Sequence, residues 1–206
     1  MCYNHKSVNI LNFKNAKKAV RLAQELLAQA KENEPAITKD LKAFATIINA
    51  EIVGLKNKFK SKESLTGKLK NKSDYTKRPI EKIAKRINDT LRYTYLIPEI
   101  NYAKALTMLL EVLKSYGYRI TKIFNAWELE KTAEDTGYRG INITIISSHN
   151  QIFELQLHTE ASFNLKNETH ILYEEFRNQA TSLQRKAGIV DLMLEKARNL
   201  KRPDGV

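Results

Sequence analysis

The spacing of apolar positions changes near residue 89, and that change divides the chain. Before it, Ala16, Ala19, Val20, Ala23, Leu26, Leu27 and Ala30 recur every three or four residues, the period of one helix face. Pro35 predicts the end of that helix, because proline lacks an N–H and crowds the carbonyl four residues back. Thr38 suits the cap of a second helix with the stripe Leu41, Phe44, Ala45, Ile48, Ile52 and Leu55. A polar, lysine-dense stretch covers 56–77, and a short helix is expected over 79–88.

After Asp89 the period shortens. Residues 91–97 are rich in aromatic and branched side chains and predict a strand. Residues 101–117 return to helical spacing and stop at Gly117. Three more strands are expected over 119–127, 140–147 and 151–159, the last two joined by a turn at 147–150. Helices over about 160–180 and 182–200 complete the chain. This order predicts an α+β fold, a mixed and mostly antiparallel sheet flanked by helices. It divides into a helical extension over 1–50, a core over 51–180 and a final helical segment over 181–206, all one domain.

Composition narrows the classes. Hydrophobic residues are 42% and charged residues 28% of 206, a globular balance. No apolar run reaches the roughly 20 residues of a membrane span, and no secretory signal is visible. A membrane partner is therefore not expected, and the expected site of action is cytoplasmic. One cysteine, Cys2, excludes an internal disulfide framework, and with His158 and His170 it matches no zinc spacing. The formal charge, 35 − 23 = +12, points to an anionic partner such as a nucleotide or nucleic acid.

The densest charge lies over 55–72, where LKNKFKSKESLTGKLKNK holds seven lysines and one acid, Glu63. In extended backbone Lys58, Lys60 and Lys62 would project together, an array suited to a polyphosphate. A helix start at Ser64–Leu65 would add backbone N–H groups, with Lys68 beyond it. The same charges also suit a solvated surface loop. Asp89 stands before a strand, where it suits either a turn or a cation. Glu154, Gln156 and His158 alternate with Phe153, Leu155 and Leu157, so the polar set faces a cleft or solvent. Tyr138, next to Arg139, could stack on a base, or stand at a strand edge with its hydroxyl in water.

Taken in order, four segments resemble the synthetase domain of RelA/SpoT-type alarmone synthetases, from about Ile47 to Arg177. LKNKFKSKESLTGKLKNK resembles the family's phosphate-binding loop, INDTLRYTYLI its Asp-bearing strand, GYRGINITII its Tyr-Arg segment and FELQLHT its Glu-x-Gln strand. The resemblance implies a nucleotidyltransferase-like fold, ATP as donor and Mg²⁺ held by Asp89 and Glu154. It places Lys58, Lys60, Lys62, Ser64, Lys68 and Arg92 on ATP. Tyr138, Arg139, Asn142, Gln156, His158 and Asn164 would meet the acceptor, a guanine or adenine nucleotide or the 3′ end of a tRNA. Asn142 stands where the family usually has His, and His158 where it usually has Arg. The likeness is to the toxin- and phage-associated branch, which implies an antitoxin or immunity protein as a further partner. Lys14, Lys17, Lys18, Arg21, Lys82, Lys85 and Arg86 are among the basic residues outside the loop that could serve a tRNA backbone.

Overall fold

The computed structural model describes residues 5–206 apart from 131, 133 and 134, with side chains described from residue 15 onward. Cys2, and the side chain of Lys14, lie outside the described residues. Helix α1 runs His5–Ile47 with Pro35 inside it, so the expected break into two helices does not occur. An interior proline costs about 3 kcal/mol. The cost is outweighed because both sides of Pro35 bury residues in the same body, Ala19, Ala23 and Ala30 before it and Ile37, Leu41 and Phe44 after it. Thr38 is no cap: its hydroxyl bonds Glu34 one turn back and lies 2.7 Å from the Tyr93 hydroxyl.

Ile52 and Leu55 leave the helical stripe. Strand β1 (Glu51–Val53) pairs with β2 (Arg92–Leu96) instead, and Leu55 begins a short 3₁₀ turn. Three residues are too few for an alternation to declare itself in sequence. The lysine stretch contains a helix, α2 (Lys62–Thr76), capped by Ser61, whose Oγ accepts the Ser64 N–H at 3.1 Å. The helix start expected at Ser64–Leu65 thus lies two residues earlier, at Lys62. Then follow α3 (Ile80–Ala84), α4 (Tyr102–Ser115), β3 (Arg119–Asn125), β4 (Ile141–Ile146) and β5 (Ile152–His158). Helices α5 (Glu160–Arg177) and α6 (Leu183–Ala197) close the chain.

Among the described residues, five strands form one sheet in the order β1-β2-β5-β4-β3. Only β2 and β5 run parallel; the other pairs are antiparallel. Alternation gives the sheet two different faces. Tyr93, Tyr95, Ile141, Ile143, Ile145, Phe153, Leu155 and Leu157 are buried with Leu41 and Phe44 of α1 and Leu109 and Leu113 of α4. Buried tyrosines keep their hydroxyls bonded, Tyr102 donating to the Leu157 carbonyl at 2.7 Å and Tyr118 to Asp40 Oδ2 at 2.8 Å. A second cluster, Ala19, Ala23, Leu65, Leu69, Ile80, Ile83, Ala84 and Ile87, clamps α2 and α3 against α1. That clamp fixes the helix carrying Lys68 and the loop carrying Asp89. No helix among the described residues is long and apolar enough to cross a membrane.

Candidate active site

The other sheet face carries polar groups in rows. Register sets Arg92 beside Glu154 and Glu154 beside Thr144, while Thr94, Gln156 and Asn142 form the next row. At the edge, residues 58–60 run alongside β2: Phe59 bridges Leu91, Lys60 N–H donates to Thr90 O, and Arg92 N–H donates to Lys58 O. Lys58 closes the preceding 3₁₀ turn in a helical conformation (φ −64°, ψ −27°) and Lys62 already belongs to α2, so the extended array expected of Lys58, Lys60 and Lys62 is not formed.

Asp89, buried just before β2, takes two ammonium groups: Lys60 Nζ at 3.1 Å and Lys68 Nζ at 2.6 Å. Burial alone would raise its carboxyl, but Lys68 and then Lys60 outweigh burial and bring it down to about 2. Asp89 is therefore ionised throughout the neutral range. In Lys60 the balance is reversed, burial lowering the ammonium despite Asp89. Lys58 turns to Glu34 of α1 at 3.2 Å. Lys62 and Ser64 are exposed in the first turn of α2 and do not join this cluster.

Glu154 accepts from Gln156 Nε2 at 2.6 Å through Oε1 and from Asn88 Nδ2 at 3.4 Å through Oε2. Asn88 is held in turn by Thr144 Oγ1 at 2.9 Å. Burial, and then the negative charge of Asp89, push the Glu154 carboxyl up from its ordinary value. The Gln156 carbonyl accepts from Lys166 Nζ at 2.6 Å. Burial, and then Arg92, bring the Lys166 ammonium down to about 8. Asn88 and Lys166 were not legible as site residues. Asn88 reads as a turn residue, and Lys166 is one of many lysines on helical stretches.

Along β5, the polar set does not open to solvent. Gln156 and His158 are buried because Thr159 caps α5 at once and the helix packs back over the strand. His158 Nδ1 lies 2.9 Å from Ser162 Oγ, and Nε2 lies 3.1 Å from the Tyr138 hydroxyl. Tyr138 also donates to Asn142 Oδ1 at 2.7 Å. Burial, then Lys166, bring His158 down to about 3, so the ring is neutral. The close fit needs Gly140 (φ +153°), whose Cβ would stand 2.8 Å from His158 Cε1. Tyr138 is half-buried with its hydroxyl turned inward, which leaves the ring rather than the hydroxyl for a ligand.

Two expected acceptor residues are placed elsewhere. Arg139 is buried in a two-point pair with Asp135, at 2.7 and 2.9 Å, beside Asp191 and Leu194 of α6. Buried in this two-point pair, the guanidinium is already engaged and is not presented to a nucleotide. Asn164 is exposed on α5, about 200° round the helix from Lys166.

Asp89 and the nearby Glu154 are the two carboxylates that a divalent cation would meet here, but both Asp89 oxygens are already paired with Lys60 and Lys68, and the described residues hold no group of three or more His, Cys, Asp and Glu side chains arranged for a metal. Mg²⁺ typically keeps one or two protein carboxylates and fills its shell with water and phosphate oxygens.

No protein-family profile matches the sequence, and no curated protein is similar to it in sequence. Solved structures share the fold. Small alarmone synthetase 2 from Bacillus subtilis superposes with a TM-score of 0.57 at 18% identity, over 85% of this chain and 90% of that one. The B. subtilis small alarmone synthetase 1, bound to its product pppGpp, gives 0.53 at 12% identity, over 85% and 94%. The Type VI effector Tas1, in complex with its immunity protein, gives 0.53 at 16% identity, over 85% and 95%. The chain has the fold of these small alarmone synthetases and of this Type VI effector.

Proposed function

We propose that the chain is a pyrophosphokinase that moves the β,γ-pyrophosphate of ATP to the 3′-hydroxyl of a purine nucleotide, and that it acts in the cytoplasm as a toxin or effector. The observation that carries this reading is Asp89, clasped by Lys60 and Lys68 beside the Glu154–Gln156 pair. It joins a polyphosphate clamp to a carboxylate of raised proton affinity.

Glu154 accepts the 3′-hydroxyl proton as the oxygen attacks the β-phosphorus, and AMP leaves with the bridging oxygen. Its raised pKa makes it the stronger base of the two carboxylates. Lys58, Lys60 and Lys68 exchange Glu34 and Asp89 for phosphate oxygens, and Arg92 reaches the same anion from β2. Asp89, with Glu154, would hold Mg²⁺, which when bound supplies charge neutralisation on the phosphates. Tyr138 offers its ring to the acceptor base. Holding both nucleotides on one rigid sheet converts a bimolecular step into a unimolecular one.

A tRNA 3′ end is the second reading of the acceptor. It is favoured by Lys82, Lys85 and Arg86, all exposed in the segment that leads to Asp89. The leftover charge on α1 is less free, since Lys18 is paired with Glu81. By analogy with the Tas1 complex, an immunity protein is the expected neutralising partner.

The test is incubation of the purified chain with Mg²⁺ and γ-labelled ATP, with GDP, GTP, AMP, ADP and tRNA supplied separately. Label in one acceptor is the expected result. A tRNA acceptor would show steep loss with salt, a nucleotide a shallow one. Label in none of them refutes the reading.

A further inference from the structure

We propose that Lys166 is a positioning residue for Glu154, acting through the Gln156 amide; the proposal rests on the pyrophosphokinase reading for its kinetic consequence and on geometry for its existence. The three side chains form a line. Lys166 Nζ is 2.6 Å from Gln156 Oε1, and Gln156 Nε2 is 2.6 Å from Glu154 Oε1.

An amide side chain has an accepting end and a donating end of nearly the same shape, and only its neighbours decide which way it lies. Lysine has donors and no acceptor, so it admits only the carbonyl end of Gln156. The NH₂ end is thereby turned to Glu154, where it binds an acceptor-only carboxylate. With Lys166 absent, the amide is held at its donating end alone and is free to swing about that contact, which leaves the Glu154 carboxylate less firmly oriented. The remaining side-chain hydrogen bond to Glu154, from Asn88 to its other oxygen, is the longer one at 3.4 Å.

The backbone makes the arrangement stiff. Gln156 lies in the central strand pair, in register with Thr94 on one side and Asn142 on the other. Lys166 projects from the second turn of α5, four residues after Ser162, which is tied to His158. Its ammonium also lies 5.5 Å from the centre of the Phe163 ring. Helix and strand therefore hold both ends of the line.

The choice of residue argues for a role beyond stability. Taking an ammonium partly out of water to meet a neutral amide costs folding free energy, and an apolar residue of the same length would avoid that cost. What the lysine adds is a fixed direction for Gln156 and a positive charge two bonds of the network from the base.

The test uses the full chain and two independent readouts. In ¹⁵N spectra, the Gln156 side-chain NH₂ signal is assigned by its loss in Gln156→Leu. Lys166→Met is expected to move that signal. It is also expected to lower kcat about tenfold or more while KM for ATP stays within about twofold, the pattern of a misplaced base. The double variant should lose no more than the worse single one, since both break the same line. Lys166→Gln, which keeps a donor, should hold the signal in place and kcat within about threefold of wild type. If the Met chain fails to fold, Lys166→Leu takes its place with the same expectation.

An unmoved Gln156 signal, additive losses, a change in KM alone, or a Lys166→Gln loss equal to that of Gln156→Leu would each overturn the proposal. If the wild-type chain transfers label to no acceptor, the pyrophosphokinase reading falls, and the Gln156 signal alone decides the positioning claim.

Discussion

At the sheet edge Asp89 is held by two ammonium groups, whereas Tyr138 and His158 are held by hydrogen bonds to the neutral side chains of Asn142 and Ser162 and to each other. The first cluster is built from charges that attract phosphate more strongly than they attract one carboxylate, so a polyanion can re-pair it. The second is a buried hydrogen-bonded frame, in which any unpaired group is costly and the shape is therefore kept. A clamp that exchanges partners sits beside a frame that does not.

Removing Asp89 should break the contrast most sharply. Asp89→Ala should lower transfer at least about a thousandfold, the scale seen when a key electrostatic group is lost. The same variant should bind ATP more tightly than wild type when divalent cations are chelated, because Lys60 and Lys68 lose their internal competitor. Calorimetric titration in chelator checks this, and equal or weaker binding would contradict the exchange.

Lys68→Met comes next. It should raise KM for ATP roughly tenfold, equivalent to about 1.4 kcal/mol, and change acceptor KM little. Steady-state kinetics with each substrate varied separate the two. A rise confined to the acceptor would move Lys68 out of the donor clamp.

On the neutral side, Tyr138→Phe should cost about 1–2 kcal/mol of stability, since Asn142 and His158 both lose a partner. Thermal melting measures the loss, and KM for ATP should stay unchanged.

His158 gives an effect that is smallest at pH 7 and grows in acid. Its folded value of about 3 lies below the ordinary 6.5. Above pH 6.5 neither folded nor unfolded chain binds the proton. Below it the unfolded chain takes up a proton that the folded chain refuses, so stability falls between pH 6.5 and 3 and then levels. In His158→Asn this part of the acid loss should be absent from melting curves recorded across that range.

Much of the charged cluster was legible beforehand. Lys58, Lys60 and Lys68 stood in one dense run, Asp89 stood at a change of period, and the alternation of β5 separated Glu154 and Gln156 from Phe153, Leu155 and Leu157. Local spacing carries such information because side-chain direction along a strand or helix repeats locally. The helix break at Pro35 was misread for the opposite reason. A local penalty was overruled by burial on both sides of it, which no local pattern records. Arg139 shows the same limit. Next to Tyr138 in sequence, it is drawn off by Asp135 to the side of α6.

By itself, then, the sequence determined the periods, hence nearly all the elements, and which residue types each could offer to a ligand. Only the tertiary structure decided which of those residues meet. Lys68 reaches Asp89 because α2 is clamped on α1, and Lys166 reaches Gln156 because α5 folds back over β5. The physical reason is one of range. Period and propensity act over a few residues, while a site is assembled by packing elements whose contacts follow sheet order and buried faces.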